Sequence, residues 1–169
     1  MIRALKQRLF QIARDDNHSF KDRLRPFLPR RGSRSAVEQL RHFILVFPDI
    51  ISQIQAWADH SDMTPPLKRL NGFVLTYIYH PGDFMPDDSN GLFGYLDDAY
   101  FVGRAAEEII KHLGKKARPT FPIFQDIEPQ LSKWIKLTKR VIPVEARNVD
   151  KMLEELVSGR QEAFEAAIA

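Results

Sequence analysis

Two apolar stretches, "FVLTYIY" at 73–79 and "LFGYLDDAYFV" at 92–102, constrain the fold more than anything else in the chain. From Phe73 onward the first is apolar almost all round at helical spacing, and a helix with no polar face belongs inside a molecule. The second opens a longer register. Leu92, Leu96, Ala99, Gly103, Ala106, Ile110 and Leu113 recur with a seven-residue period, closed by Gly114. Only the short acidic segment "HPGDFMPDDSNG" lies between the two stretches. Helices joined so closely fold back on each other, which predicts a central antiparallel hairpin over about residues 65–113.

The rest of the chain supplies helices to cover that hairpin. Ile2, Leu5, Leu9 and Ile12 stand at helical spacing, and "DDNHSFKDRLRPFLPRRGSR" after them reads as a linker with one short turn near Phe20. Ser35 with Glu38 forms a capping-box signature ahead of Val37, Leu40, Ile44 and Leu45. Pro48 is expected to end or kink that helix before "DIISQIQAWADH" resumes it. Thr64 with Pro65 and Pro66 marks the start of the hairpin's first helix. "KKARPTFPIFQDIEP" reads as a loop, with a new helix from Pro129 carrying Leu131, Trp134, Ile135 and Leu137 on one side. Pro143 breaks it, and the remaining residues form one or two helices divided near Gly159. No segment alternates as a strand does. The expected fold is all-α, a bundle of about six to eight helices: a basic N-terminal helix and linker over 1–34, then one helical domain over 35–169.

Charge is distributed unevenly. Residues 1–41 carry eleven Lys/Arg against four Asp/Glu, whereas residues 42–169 carry fourteen against eighteen. Arg3, Lys6, Arg8, Arg14, Arg30, Arg31 and Arg34 therefore form a candidate surface for an anionic membrane, for nucleic acid, or for the acidic body of the chain itself. Nucleic acid ranks behind the others, because "PRRGSR" lacks the interleaved aromatics of a base-stacking surface. No stretch has the roughly 20 apolar residues of a membrane span. The N-terminal segment has no secretory h-region and reads as an ordinary amphipathic helix, in keeping with a cytoplasmic protein, possible contact with a membrane being peripheral. The absence of cysteine removes disulfides, thiolate metal sites and cysteine nucleophiles. No nucleophile elbow, phosphate loop or dinucleotide fingerprint is present, and the five histidines share no ligand spacing.

Chemistry concentrates instead at 83–98, where five aspartates fall within sixteen positions. Pro81, Asp83, Pro86–Asp87, Gly94–Tyr95 and Asp97–Asp98 resemble the signature of the YkvA family, a small bacterial helical domain of unknown function. The resemblance spans about residues 65–110 and implies a helical hairpin with a tight acidic loop; it brings no activity. The connection "DSNGLF" is one residue longer and more polar than the family's usual one. Lys68, Arg69, Asn71 and Arg104 also interrupt the hairpin where many relatives are hydrophobic.

Two readings of the aspartates follow. In the structural one, Asp83 forms a turn, Asp87, Asp88 or Asn90 caps the next helix, and Asp97 and Asp98 accept loop amides or pair with Arg69, His80 or Arg104. In the other, Asp83, Asp87 and one of Asp97 or Asp98 bind Mg²⁺, Mn²⁺ or Ca²⁺, all of which favour oxygen ligands. The leading expectation is a non-enzymatic helical protein without a cofactor, acting through a protein partner or an anionic membrane surface. A divalent-metal-dependent hydrolase and a nucleic-acid-binding module are the alternatives.

Overall fold

The structure, a computed structural model, describes residues 2–16, 19–29, 31–78, 90–116 and 120–158. Among these residues there are seven α-helices and no strand: α1 (Ile2–Asp15), α2 (Ser19–Leu24), α3 (Ser33–Ala56), α4 (Pro65–Ile78), α5 (Leu96–Leu113), α6 (Pro122–Val141) and α7 (Pro143–Ser158). The protein is an all-α bundle around the expected hairpin, α4 and α5.

Helix α5 is the axis of the bundle. It packs against α3, α4, α6 and α7, and 12 of its 18 residues are buried, which leaves only a narrow strip for polar side chains. Gly103 sets its closest approach. A Cβ there would stand 2.7 Å from the Phe43 ring on α3 and 3.3 Å from Ile135 on α6. On the other side Phe101 meets Tyr77 with ring centroids 4.5 Å apart and Phe73 edge-on at 5.9 Å, fastening α4 to α5.

Helix α3 is the second organiser and carries α1, α4 and α6 along its length. Two buried amides tie its C-terminal half to neighbouring segments. Gln53 Oε1 accepts the Thr120 and Phe121 amides at 2.8 and 3.1 Å, which holds the entry to α6. Asn71 Nδ2 donates to the Ile54 carbonyl at 2.5 Å and joins α4 to the end of α3. Each bond satisfies backbone that burial would otherwise leave costly.

Four local expectations are overturned by packing. Helix α3 does not end at Pro48; it runs through it, and Phe43, Ile44, Phe47, Pro48, Ile50 and Ile51 are all buried. The roughly 3 kcal/mol cost of an interior proline is smaller than the burial of that run. The same helix begins at Ser33 with Gly32 as N-cap, so Ser35 is already inside it, its Oγ accepting Gln39 Nε2 at 2.9 Å. Helix α6 begins at Pro122, and Pro129 lies within it. Phe124, Ile127, Leu131 and Trp134 form its buried stripe, while Pro129 and Gln125 are on the solvent side, so the helix bond that proline cannot make is not missed inside the core. Helix α4 is not enclosed all round either. Lys68, Arg69, Gly72 and Thr76 make an exposed stripe, and Leu75 and Ile78 at its margin are only partly covered.

Position in the bundle sets the cost of truncation. Leu96→Ala, at a fully buried site, is expected to lose about 2–5 kcal/mol, and Leu75→Ala clearly less. Gly103→Ala gains about 1 kcal/mol of helix propensity, but overpacking against Phe43 costs about 1–3 kcal/mol, so it melts below the parent. Equal loss at Leu75 and Leu96 in urea titrations contradicts this arrangement.

Candidate functional site

Asp97 and Asp98 lie in the first turn of α5 and are 0% and 1% exposed. Leu96, Ala99, Phe101 and Val102 around them are equally buried, so these carboxylates are in the core of the protein. Two features offset their desolvation. The positive end of the α5 dipole stabilises negative charge in its first turn, and both residues have interaction partners. Gly94 and Tyr95, from the sequence motif, are buried immediately before them in a 3-10 turn over Gly91–Tyr95. Pro81, Asp83, Pro86 and Asp87 lie outside the described residues, as do Asp88 and His80.

The exit from the acidic segment is braced by the N-terminal segment. Asp16 Oδ2 accepts the Leu92 amide at 2.9 Å. A Cβ on Gly91 would come within 2.5 Å of that same oxygen, and the backbone there has φ +57°, so glycine alone fits. Arg23 Nη1 donates to Asn90 Oδ1 at 2.6 Å, and its guanidinium lies 5.9 Å from the centre of the Phe93 ring. Asn90 is the N-cap of the turn by position but makes no side-chain capping bond.

Arg104 does not pair with Asp97 or Asp98. About two turns further along α5 it belongs to a polar cluster that sequence reading missed. Its Nε donates to Asp150 Oδ1 at 3.0 Å and its Nη1 to Glu107 Oε2 at 2.8 Å. The Tyr100 hydroxyl donates to the same Asp150 oxygen at 2.9 Å, and Lys139 Nζ reaches the other oxygen at 2.7 Å. Burial opposes ionisation of Asp150, but the bonds from Lys139, Arg104 and Tyr100 outweigh it and hold its pKa below the ordinary 3.8. Burial and the bond to Asp150 push the Tyr100 hydroxyl up. Burial works against the Arg104 charge, and its two carboxylate partners more than restore it. The cluster joins α5, α6 and α7. Its sequence signal was Tyr100 and Arg104 one turn apart with Glu107 beyond; nothing local announced Asp150.

The basic residues divide into two groups. Lys6 Nζ pairs with Asp49 at 2.7 Å, and Arg41 Nη2 donates to the Ala13 carbonyl at 2.6 Å, so α1 is strapped along α3 at both ends. Leu9 and Ala13 meanwhile enter the common core. Arg3, Arg8, Arg14, Arg31 and Arg34 are exposed, and Arg30 is outside the described residues. Along the outside of α1 lies an open depression of about 630 Å³ lined by Arg3, Lys6, Gln7, Phe10, Arg14 and neighbours.

Among the described residues no three His, Asp or Glu side chains are grouped to hold a metal ion. His42 stands edge-on to Trp134, the His60 ring nitrogen accepts the Asp62 amide, and His112 contacts the Asp62 carbonyl; these are local structural roles. Compared with protein-family models, curated proteins and solved structures, the chain finds no match. The class defined by the structure is therefore one of fold, an all-α bundle with two carboxylates buried at the head of its axial helix.

The Asp150 cluster leads to a pH-dependent expectation. Asp150→Ala strands the buried Tyr100 hydroxyl and the half-buried Arg104, at about 1–3 kcal/mol. Because the folded pKa is lowered, the stability from Asp150 is complete above its ordinary value of 3.8 and disappears as pH falls through the lower, folded value. The stability difference between parent and Asp150→Asn should stay constant near neutrality and shrink in acid. A difference that grows on acidification in chemical denaturation contradicts this.

Proposed function

We propose that this is a non-enzymatic, YkvA-like helical protein of the cytoplasm that associates peripherally with an anionic membrane surface through the outer face of α1. One observation carries the reading. Phe10 is 51% exposed at the middle of a stripe formed by Arg3, Gln7, Phe10 and Arg14, while the opposite side of the helix is docked in the core. An exposed aromatic between cations on one helix face matches the interface of a bilayer, where the ring enters the headgroup boundary and the arginines meet lipid phosphates. No acidic residue stands in the first turn of α1, and no described helix is long and apolar enough to cross a membrane. A protein partner with an acidic, apolar-centred surface is the other occupant such a face fits.

Vesicle sedimentation tests this. The parent should pellet with phosphatidylcholine vesicles containing phosphatidylglycerol and remain in the supernatant with phosphatidylcholine alone, the binding fading as salt is added. Arg3→Gln and Arg14→Gln should each weaken binding by about 1 kcal/mol, or roughly fivefold, and Phe10→Ser should weaken it in low and high salt alike. Equal pelleting on neutral and anionic vesicles sinks the reading.

In this reading the aspartate-rich segment is mainly structural. Asp97 and Asp98 are supported by the α5 dipole and by the turn that Asp16 and Arg23 brace. The melting temperature of the parent is then indifferent to Mg²⁺, Mn²⁺ and Ca²⁺, and Asp98→Asn lowers it equally with and without them. A rise on adding one of these ions, abolished by Asp98→Asn, brings the metal-site alternative forward in its place.

A further inference from the structure

A second positively charged surface lies away from α1, in a groove of about 500 Å³ between the start of α3 and the outer side of α6. Lys133, Lys136 and Arg140 line one wall and Gly32 and Gln39 the other, with no carboxylate among the lining residues. The three cations stand at successive turns of one helix face, where like charges destabilise a helix. Every neighbour of Lys133 three or four residues away is Pro129, Gln130, Lys136 or Leu137, and Lys136 has only Ser132, Lys133, Lys139 and Arg140. None of these is acidic. Across the bundle, Asp150 neutralises Lys139, the cation facing α7. Among the described residues no ion pair reaches Lys133, Lys136 or Arg140. The three cations are exposed to solvent, and no carboxylate in the lining competes with an incoming anion for them.

We propose that this groove binds a phosphomonoester, its phosphate held by Lys133, Lys136 and Arg140 and its organic part resting on Ala36, Pro129 and Leu137. A phosphomonoester carries about −1.5 to −2 charges at neutral pH, which suits three cations better than a carboxylate does. The groove is much larger than a phosphate, and its partly apolar lining gives an attached carbon skeleton something to cover. The α3 N-terminus adds to the field: Gly32 caps it with φ +82° and no side chain, leaving its positive end without a capping acceptor. The lining comes from α3 and α6 and shares no residue with the α1 face, and the proposal does not rest on membrane association through α1.

The test is calorimetric titration of the full-length chain with phenyl phosphate and with inorganic phosphate, at physiological ionic strength. Phenyl phosphate should bind one-to-one and more tightly than inorganic phosphate. Lys133→Gln/Lys136→Gln should weaken it by about tenfold or more, with a melting temperature equal to or above the parent's because like-charge repulsion is relieved. Arg3→Gln/Arg14→Gln should leave this binding unchanged, which separates it from the α1 reading. A second arm compares vesicles containing phosphatidic acid, a monoester, with vesicles containing phosphatidylglycerol, a diester. Preference for phosphatidic acid that the Lys133/Lys136 variant loses assigns the ligand to a lipid headgroup; saturable binding of phenyl phosphate without that preference assigns it to a soluble ester. Absence of saturable binding to either source, or equal binding by parent and Lys133/Lys136 variant, overturns the proposal.

Discussion

The contact of three helices at Gly103 governs much of this structure. Because α3 and α6 both close on a position without a side chain, α5 lies in the centre and keeps only a narrow strip in contact with solvent. Polar groups off that strip cannot be left to water and must be satisfied inside the bundle. At the head of α5 this is achieved by the helix dipole and by the braced turn that delivers Asp97 and Asp98. Further along the helix, Tyr100 and Arg104 are satisfied together by Asp150 from α7. The remaining helices are arranged so that these groups find partners as the apolar surface is covered.

Much of this was legible in sequence where the information is periodic and local. The seven-residue repeat through Leu96, Gly103 and Leu113 defined α5. Where a single residue seemed to punctuate the chain, tertiary packing overruled it. Pro48 and Pro129 both lie within helices because a stripe of core residues runs past each of them. The Phe124–Ile127–Leu131 spacing was visible and was the better guide. The completeness of the α4 apolar surface was overestimated because Lys68, Arg69, Gly72 and Thr76, spread over three turns, form one stripe only once the helix is built.

Pairings across long separations were not legible. Asp150 lies 50 positions from Tyr100, and Asp16 lies 76 positions from Leu92. Nothing in either segment names the other, since a carboxylate suits any amide, hydroxyl or cation the fold brings to it. The N-terminal segment shows the consequence. Its net positive charge left open a membrane, nucleic acid or the body of the chain as partner, and Lys6, Arg23 and Arg41 are bound to the chain itself. The segment also contributes an acid, Asp16, to the turn that precedes the buried aspartates. Its charge therefore serves both the bundle and the exterior.

What distinguishes the cations left facing outward is the set of side chains beside them. On α1 they flank the exposed Phe10 along one helix face, so a partner must be extended and have an apolar layer beneath its charges. On α6 they line a groove shared with α3, and no aromatic residue is among them. Without an exposed aromatic that groove has nothing to insert below a bilayer's headgroups, but three cations on one helix face suit a single phosphate. The same residue types thus define two different recognition problems, and the neighbouring side chains decide between them where charge alone does not.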